Sequence, residues 1–136
     1  MSYWILKSEP TTYSFDNLVK DKKATWDGIR NPQALLHIRS MKKKDLAMIY
    51  HSNEGKCIVG LAEIISEPYP DPKLKEAKFA VIDLIPKYRL KKPVTLSEIK
   101  ANPKLSELKL VRQSRLSVIP VPEAMWYELL KMAGEK

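Results

Sequence analysis

The chain has 136 residues, 44% hydrophobic and 29% charged, and carries a net charge of +8. That length and balance suit one globular domain over residues 1–136, able to bury about two-thirds of its unfolded surface, and exclude a disordered or repeat-built chain. The excess of Lys and Arg favours polyanions through attraction and counterion release, although the basic residues are scattered rather than gathered in one patch.

Tyr3 to Lys7 predicts a first strand, ended by Pro10. Ser14 is placed to N-cap a short helix from Phe15 to Lys20, with Phe15, Leu18 and Val19 on one face. Thr25 to Asp27 is extended. Pro32 fits the first turn of a second helix, which runs to Ser40 and buries Leu35, Leu36 and Ile38. Asp45 to His51 and Cys57 to Glu67 form a hairpin joined through residues 52–56. Lys78 to Leu90 is a long third strand of this group, and Pro86 predicts a bulge or an edge within it. Thr95 and Glu98 have capping-box spacing for a helix to Ala101. Ser117 to Val121 returns as a strand, and Pro122 opens a terminal helix that Gly134 ends. The class is α+β: a twisted β-barrel of about five to six mostly antiparallel strands, flanked by short helices.

Cys57 is the single cysteine, which excludes an internal disulfide and a CxxC metal site. In the apolar run Cys57–Leu61 it reads as a buried structural thiol, and the expected setting is reducing and cytoplasmic. No apolar run is long enough to span a bilayer and no signal-peptide pattern opens the chain, so no membrane partner is expected. The four glycines are isolated, so there is no P-loop or dinucleotide fingerprint and no cofactor is expected. The two histidines, His37 and His51, lack further ligands at metal spacing. His51 and Ser52 are adjacent on a strand end and so face opposite ways, which argues against a base–nucleophile pair.

The densest cluster of recognition chemistry is Trp26-Asp27-Gly28-Ile29-Arg30-Asn31. A flat aromatic, a glycine free to take positive φ, a guanidinium and an amide suit a pocket for a planar polar ligand such as a nucleobase. The same run also reads as a buried Trp at a strand end followed by a turn.

Three further blocks accompany it in order: Lys7-Ser8-Glu9-Pro10, Tyr50-His51-Ser52-Asn53, and Arg112-Gln113-Ser114-Arg115-Leu116-Ser117-Val118. With Tyr69-Pro70-Asp71-Pro72 and the segment 93–100, they resemble the EVE domain, a branch of the PUA-like superfamily, over nearly the whole chain. The resemblance implies a PUA-like barrel and a non-enzymatic nucleic-acid-binding module. Its pocket would accept a flipped, modified base, either modified cytosine or adenine in DNA or a modified base in RNA. Carried across by position, it makes Trp26 the stacking wall. Lys7 and Ser8 become donors to base edge or phosphate, and Arg30 and Asn31 neighbouring polar contacts, Asn31 as an amide reader. Tyr50 would be a second aromatic wall, His51 and Ser52 ligand or backbone contacts, and Arg115 and Ser117 phosphate or base contacts. Each also has a structural reading: Lys7 as surface, Tyr50 as core, Arg30 paired with Asp27, Arg115 tied to Glu9. The chain departs from the family at three places. Pro32 precedes Gln33 where an aromatic is common, Lys44 stands where Gly is usual, and Phe79 where many relatives have Trp. A small hydrolase acting on a nucleoside-like amide, as in ASCH-type relatives, is the alternative.

Overall fold

The computed structural model describes residues 1–53, 55–74, 76 and 78–135; Glu54, in the predicted hairpin turn, lies outside them. The elements are β1 Tyr3–Ser8, α1 Phe15–Asp21, β2 Ala24–Trp26, α2 Pro32–Ser40, β3 Leu46–His51, β4 Cys57–Ile64, β5 Tyr69–Pro70, β6 Ala80–Thr95, α3 Leu96–Ala101, α4 Lys109–Arg112, β7 Val118–Val121 and α5 Glu123–Met132. A 3-10 turn at Pro103–Leu105 precedes α4.

Helix starts follow local chemistry. Ser14 and Asn17 form a reciprocal capping box on α1, as do Thr95 and Glu98 on α3. Asn31 caps α2 and Pro32 opens it. Lys22, at φ 68, ends α1 in the left-handed region. Lys44 also takes φ 78, a left-handed conformation that strains a residue with a Cβ.

Six strands lie in the order β2-β6-β4-β3-β1-β7, and the two-residue β5 pairs with β6. All pairings are antiparallel except β1 with β3. The edge strands β2 and β7 do not pair with each other, so the sheet is a curled half-barrel. Helix α2 packs on both β6 and β7, which belong to opposite ends of the strand path, and thereby fills the open side. Consecutive buried residues Trp4-Ile5-Leu6, Ala47-Met48-Ile49-Tyr50 and Ile58-Val59-Gly60-Leu61-Ala62 show that the central strands are covered on both faces.

The long strand β6 passes two prolines through irregular pairing. Leu61 faces Tyr88 and Ala62 faces Pro86, leaving Lys87 as the extra residue of the bulge expected at Pro86. Farther on, Ile58 faces Val94 while Gly60 faces Arg89, so residues 90–93 loop opposite Val59 alone. The strand therefore runs to Thr95, beyond the predicted end at Leu90. Two other expectations are corrected. Leu36 is 56% exposed, because the buried face of α2 is Ala34, Leu35 and Ile38. Cys57 is half-buried at the start of β4 rather than enclosed, and burial pushes its thiol above the ordinary cysteine value.

The buried Asp45 ties the parallel pair together. Its carboxylate accepts from the Ser2 and Lys42 backbone N–H groups, both at 3.0 Å, and from the Trp4 indole N–H at 3.1 Å. A buried carboxylate is tolerable here because its lone pairs are occupied by donors.

Candidate functional site

The parallel strands β1 and β3 end side by side, with Lys7 opposite Tyr50 and Ser8 opposite His51. After β1 the chain folds tightly, the Thr12 and Tyr13 N–H groups both donating to the Glu9 carbonyl at 2.9 and 2.8 Å. β2 then returns along β6, pairing Trp26 with Ile82. Thr25 and Tyr69 both donate to the Asp83 carboxylate, at 2.8 and 2.7 Å, which fastens β2 to the sheet. Between these segments opens a recess of about 840 Å³ whose lining includes Lys7, Ser8, Tyr13, Asp21, Trp26 and Lys73. That volume falls within the range of about 300–1,000 Å³ typical of small-ligand sites.

Trp26 is 8% exposed and meets Tyr13 edge-to-face, ring centroids 6.3 Å apart at 78°. The Tyr13 hydroxyl donates to Asp21 at 2.8 Å; burial and this carboxylate push its pKa up to about 12. It therefore stays protonated at any neutral pH. Ser8 donates through Oγ to the Tyr13 carbonyl, which holds the wall against the strand end. Lys7 donates to the Ser114 carbonyl at 2.6 Å, and its ammonium lies 5.9 Å from the Tyr50 ring centroid. Burial lowers the Lys7 pKa from the usual lysine value.

The charge of the recess is balanced. Lys7, Lys23 and Lys73 line it with Glu9, Asp21 and Asp27, and Lys73 approaches Asp27 at 3.6 Å. A neutral lining suits an uncharged planar group better than a phosphate.

Of the sequence candidates, Lys7, Ser8 and Trp26 come together in this recess. Asn31 and Arg115 line a smaller neighbouring recess of about 320 Å³ with Gln33, Gln113, Ser114 and Leu116. The Lys7–Ser114 hydrogen bond joins the two. Asn31 also spends its Oδ1 on the Ala34 N–H at 3.0 Å, as a helix cap. Arg30 stacks on Phe79, its guanidinium carbon 4.6 Å from the ring centroid, and is exposed; Asp27 pairs with Lys73 instead. Tyr50 is buried behind Lys7. His51 accepts the Phe15 N–H through Nε2 at 3.0 Å and so caps α1 in its neutral form. Burial, with help from Arg89 and against Asp16, lowers its pKa. Ser52 donates its backbone N–H to the Ser8 carbonyl at 2.9 Å, and the Ser117 carbonyl accepts from the Lys7 N–H at 3.0 Å, so both brace the β1 end.

Tyr13 and Lys73 are the residues that sequence reading missed. Tyr13 follows the Lys7–Pro10 block by three positions, but only the fold of that turn brings it onto Trp26. Among the described residues no cluster of His, Cys, Asp and Glu suits a metal ion, and no helix is long and apolar enough to cross a membrane.

A sequence model of the EVE domain matches residues 2–132. The chain belongs to the EVE family. This EVE domain is 33% identical to thymocyte nuclear protein 1 of Rattus norvegicus over 90% of the chain and 69% of that protein. It is 46% identical to Rpa0253 of Rhodopseudomonas palustris, with a TM-score of 0.94, over 98% of this chain and 94% of the other. Human THYN1, solved in complex with DNA containing 5-methylcytosine, is 28% identical with a TM-score of 0.90, covering 100% and 99% of the two chains. An ASCH protein of Zymomonas mobilis, 10% identical with a TM-score of 0.60, shares the PUA-like fold alone.

Proposed function

We propose that this EVE domain is a non-enzymatic reader of DNA carrying a modified base, with the base turned out of the duplex into the recess beside Trp26. The observation that carries the reading is the convergence of Trp26, Tyr13, Lys7 and Ser8 on one open, charge-balanced recess. The likeness to human THYN1, solved with 5-methylcytosine DNA, supports DNA over RNA and modified cytosine as the first base to test. Stacking contributes about 1–3 kcal/mol for any base. A buried methyl adds only about 0.8 kcal/mol, or roughly fourfold in affinity; hydrogen bonds to the base edge, which cytosine and 5-methylcytosine share, select the base and not the methyl. The net charge of +8 supplies attraction to the phosphates, which the neutral recess does not. The occupied Nε2 of His51 supports the non-enzymatic reading, because its lone pair is committed to the helix cap.

The test is fluorescence anisotropy with labelled duplexes bearing 5-methylcytosine or cytosine at one position, at two salt concentrations. A matching RNA set measures the preference for DNA. The expected result is a methylation preference of roughly fourfold or more that survives the higher salt. The variant Trp26→Leu, checked by its melting curve, should abolish it. Binding that ignores methylation and vanishes at the higher salt would mean that charge acts alone.

A further inference from the structure

The smaller recess has chemistry of its own. Gln33 donates through Nε2 to Gln113 Oε1 at 2.9 Å, which leaves the Gln33 Oε1 acceptor and Gln113 Nε2 donor for another partner. Exchanging O and N in both amides still leaves one acceptor and one donor, so the pair presents both whichever assignment holds. Asn31 has its oxygen committed to Ala34, so its NH₂ group remains as a donor at the rim. Arg115 is exposed beside them, with no ion pair or hydrogen bond to the described residues. Two amides, an extra donor and a guanidinium on about 320 Å³ of open space suit a base edge and a phosphate, not an apolar group.

The position of this recess is as informative as its lining. Ile29 lines the large recess and Asn31, two residues on, lines the small one. Two residues span at most about 7 Å. A nucleotide step is about 3.4 Å in stacked DNA and longer where a strand is pulled open, so at this shared rim the two recesses lie within a step or two of one strand. Lys7 lines the first and grips the Ser114 carbonyl of the second, so the two hold a common geometry.

We propose that the recess of Asn31, Gln33, Gln113 and Arg115 receives the nucleotide next to the flipped one, its base edge on the glutamine pair and its phosphate on Arg115. The protein then reads a modified base in a preferred sequence context. This rests on the base-flipping reading above and adds a second, separable source of specificity.

The experiment uses 5-methylcytosine duplexes in which the base on the 5′ side, and then on the 3′ side, is each of the four in turn. Wild type, Gln113→Ala and Arg115→Ala are compared by anisotropy, with melting curves confirming that each variant is folded. For wild type, affinities should spread by about fivefold or more across the neighbours on one side, as bidentate base contacts do. Gln113→Ala should compress that spread to within about twofold while the methylation preference persists. Arg115→Ala should weaken every sequence alike and lower the salt slope by about one. A flat wild-type series, or a spread that Gln113→Ala leaves intact, overturns the context reading. Absence of a methylation preference in wild type, with the context spread present and sensitive to Gln113, overturns the modified-base reading and leaves the second recess as a site that reads a base.

Discussion

Gly60→Ala tests how α1, and with it one wall of the recess, is held to the sheet. A Cβ at Gly60 would lie 2.4 Å from Phe15 Cζ and 2.6 Å from both ε carbons. Carbon atoms rest at about 3.5–4.0 Å, so the ring must retreat by roughly 1 Å or more. It has little freedom to do so. Phe15 is fully buried, its N–H is held by His51, and the Arg89 guanidinium lies 5.3 Å from its ring centroid on a strand of the same sheet. Overpacking of this kind costs about 1–3 kcal/mol. For a domain of this size that is a fall in Tm of roughly 3–15 °C. The assay is thermal and urea unfolding of wild type, Gly60→Ala, Phe15→Leu and the double variant. The smaller ring-less side chain should relieve the clash, giving a favourable coupling of about 1 kcal/mol or more in the double-mutant cycle. A Gly60→Ala protein melting within about 1 °C of wild type, or two effects that simply add, would refute the reasoning.

Asp45→Ala should destabilise by about 2–4 kcal/mol in urea unfolding, because it strands the buried Trp4 N–H and two backbone donors, whereas Asp45→Asn keeps an acceptor and should cost about half as much. His51→Gln should flatten part of the stability–pH curve. The folded state holds His51 below its unfolded value near 6.5, so its contribution is complete above about pH 6.5 and is lost as pH falls through the folded value. A glutamine keeps an acceptor for Phe15 without titrating, and His37, lowered by burial and Lys109, supplies the slope that remains; identical slopes between pH 7 and 5 in both proteins would disprove the assignment. Lys7→Met should weaken DNA binding several-fold with little change in Tm, measured by anisotropy alongside melting, since it removes the only ammonium that bridges the two recesses among the described residues.

Features decided within a few residues were legible in the sequence. The Ser14 and Thr95 caps, Pro32 at a helix start and Gly134 at a helix end all follow from local chemistry, and each stands where it was expected. Features decided by distant partners were not. β5 is two residues made a strand by Val81 and Ala80, and β6 continues past Leu90 only because β4 supplies partners for Val94 and Thr95. Leu36 carries the right residue type for a core position, but the rotation of α2 against β6 and β7 turns it outward. At the site, blocks far apart in sequence pointed to Lys7, Ser8 and Trp26, which the fold does gather. Asn31 before Pro32 has the residue type and place of an N-cap, so its second role is local, whereas His51 caps α1 from 36 residues away, a pairing that no local pattern signals.

The parallel pairing of β1 with β3 obliges the chain to leave the sheet at one end and re-enter alongside. Apart from Lys73, every residue lining the large recess lies from Lys7 to Ile29: the last two residues of β1, the turn and helix that follow, β2, and the loop beyond it. The recess is thus carried by one short stretch of chain that leaves the sheet from β1 and returns to it at β2. A change of lining at Lys7, Ser8 or Trp26 is therefore a change in the sheet as well, whereas one at Thr12, Tyr13 or Asp21 is confined to the turn and helix between its strands.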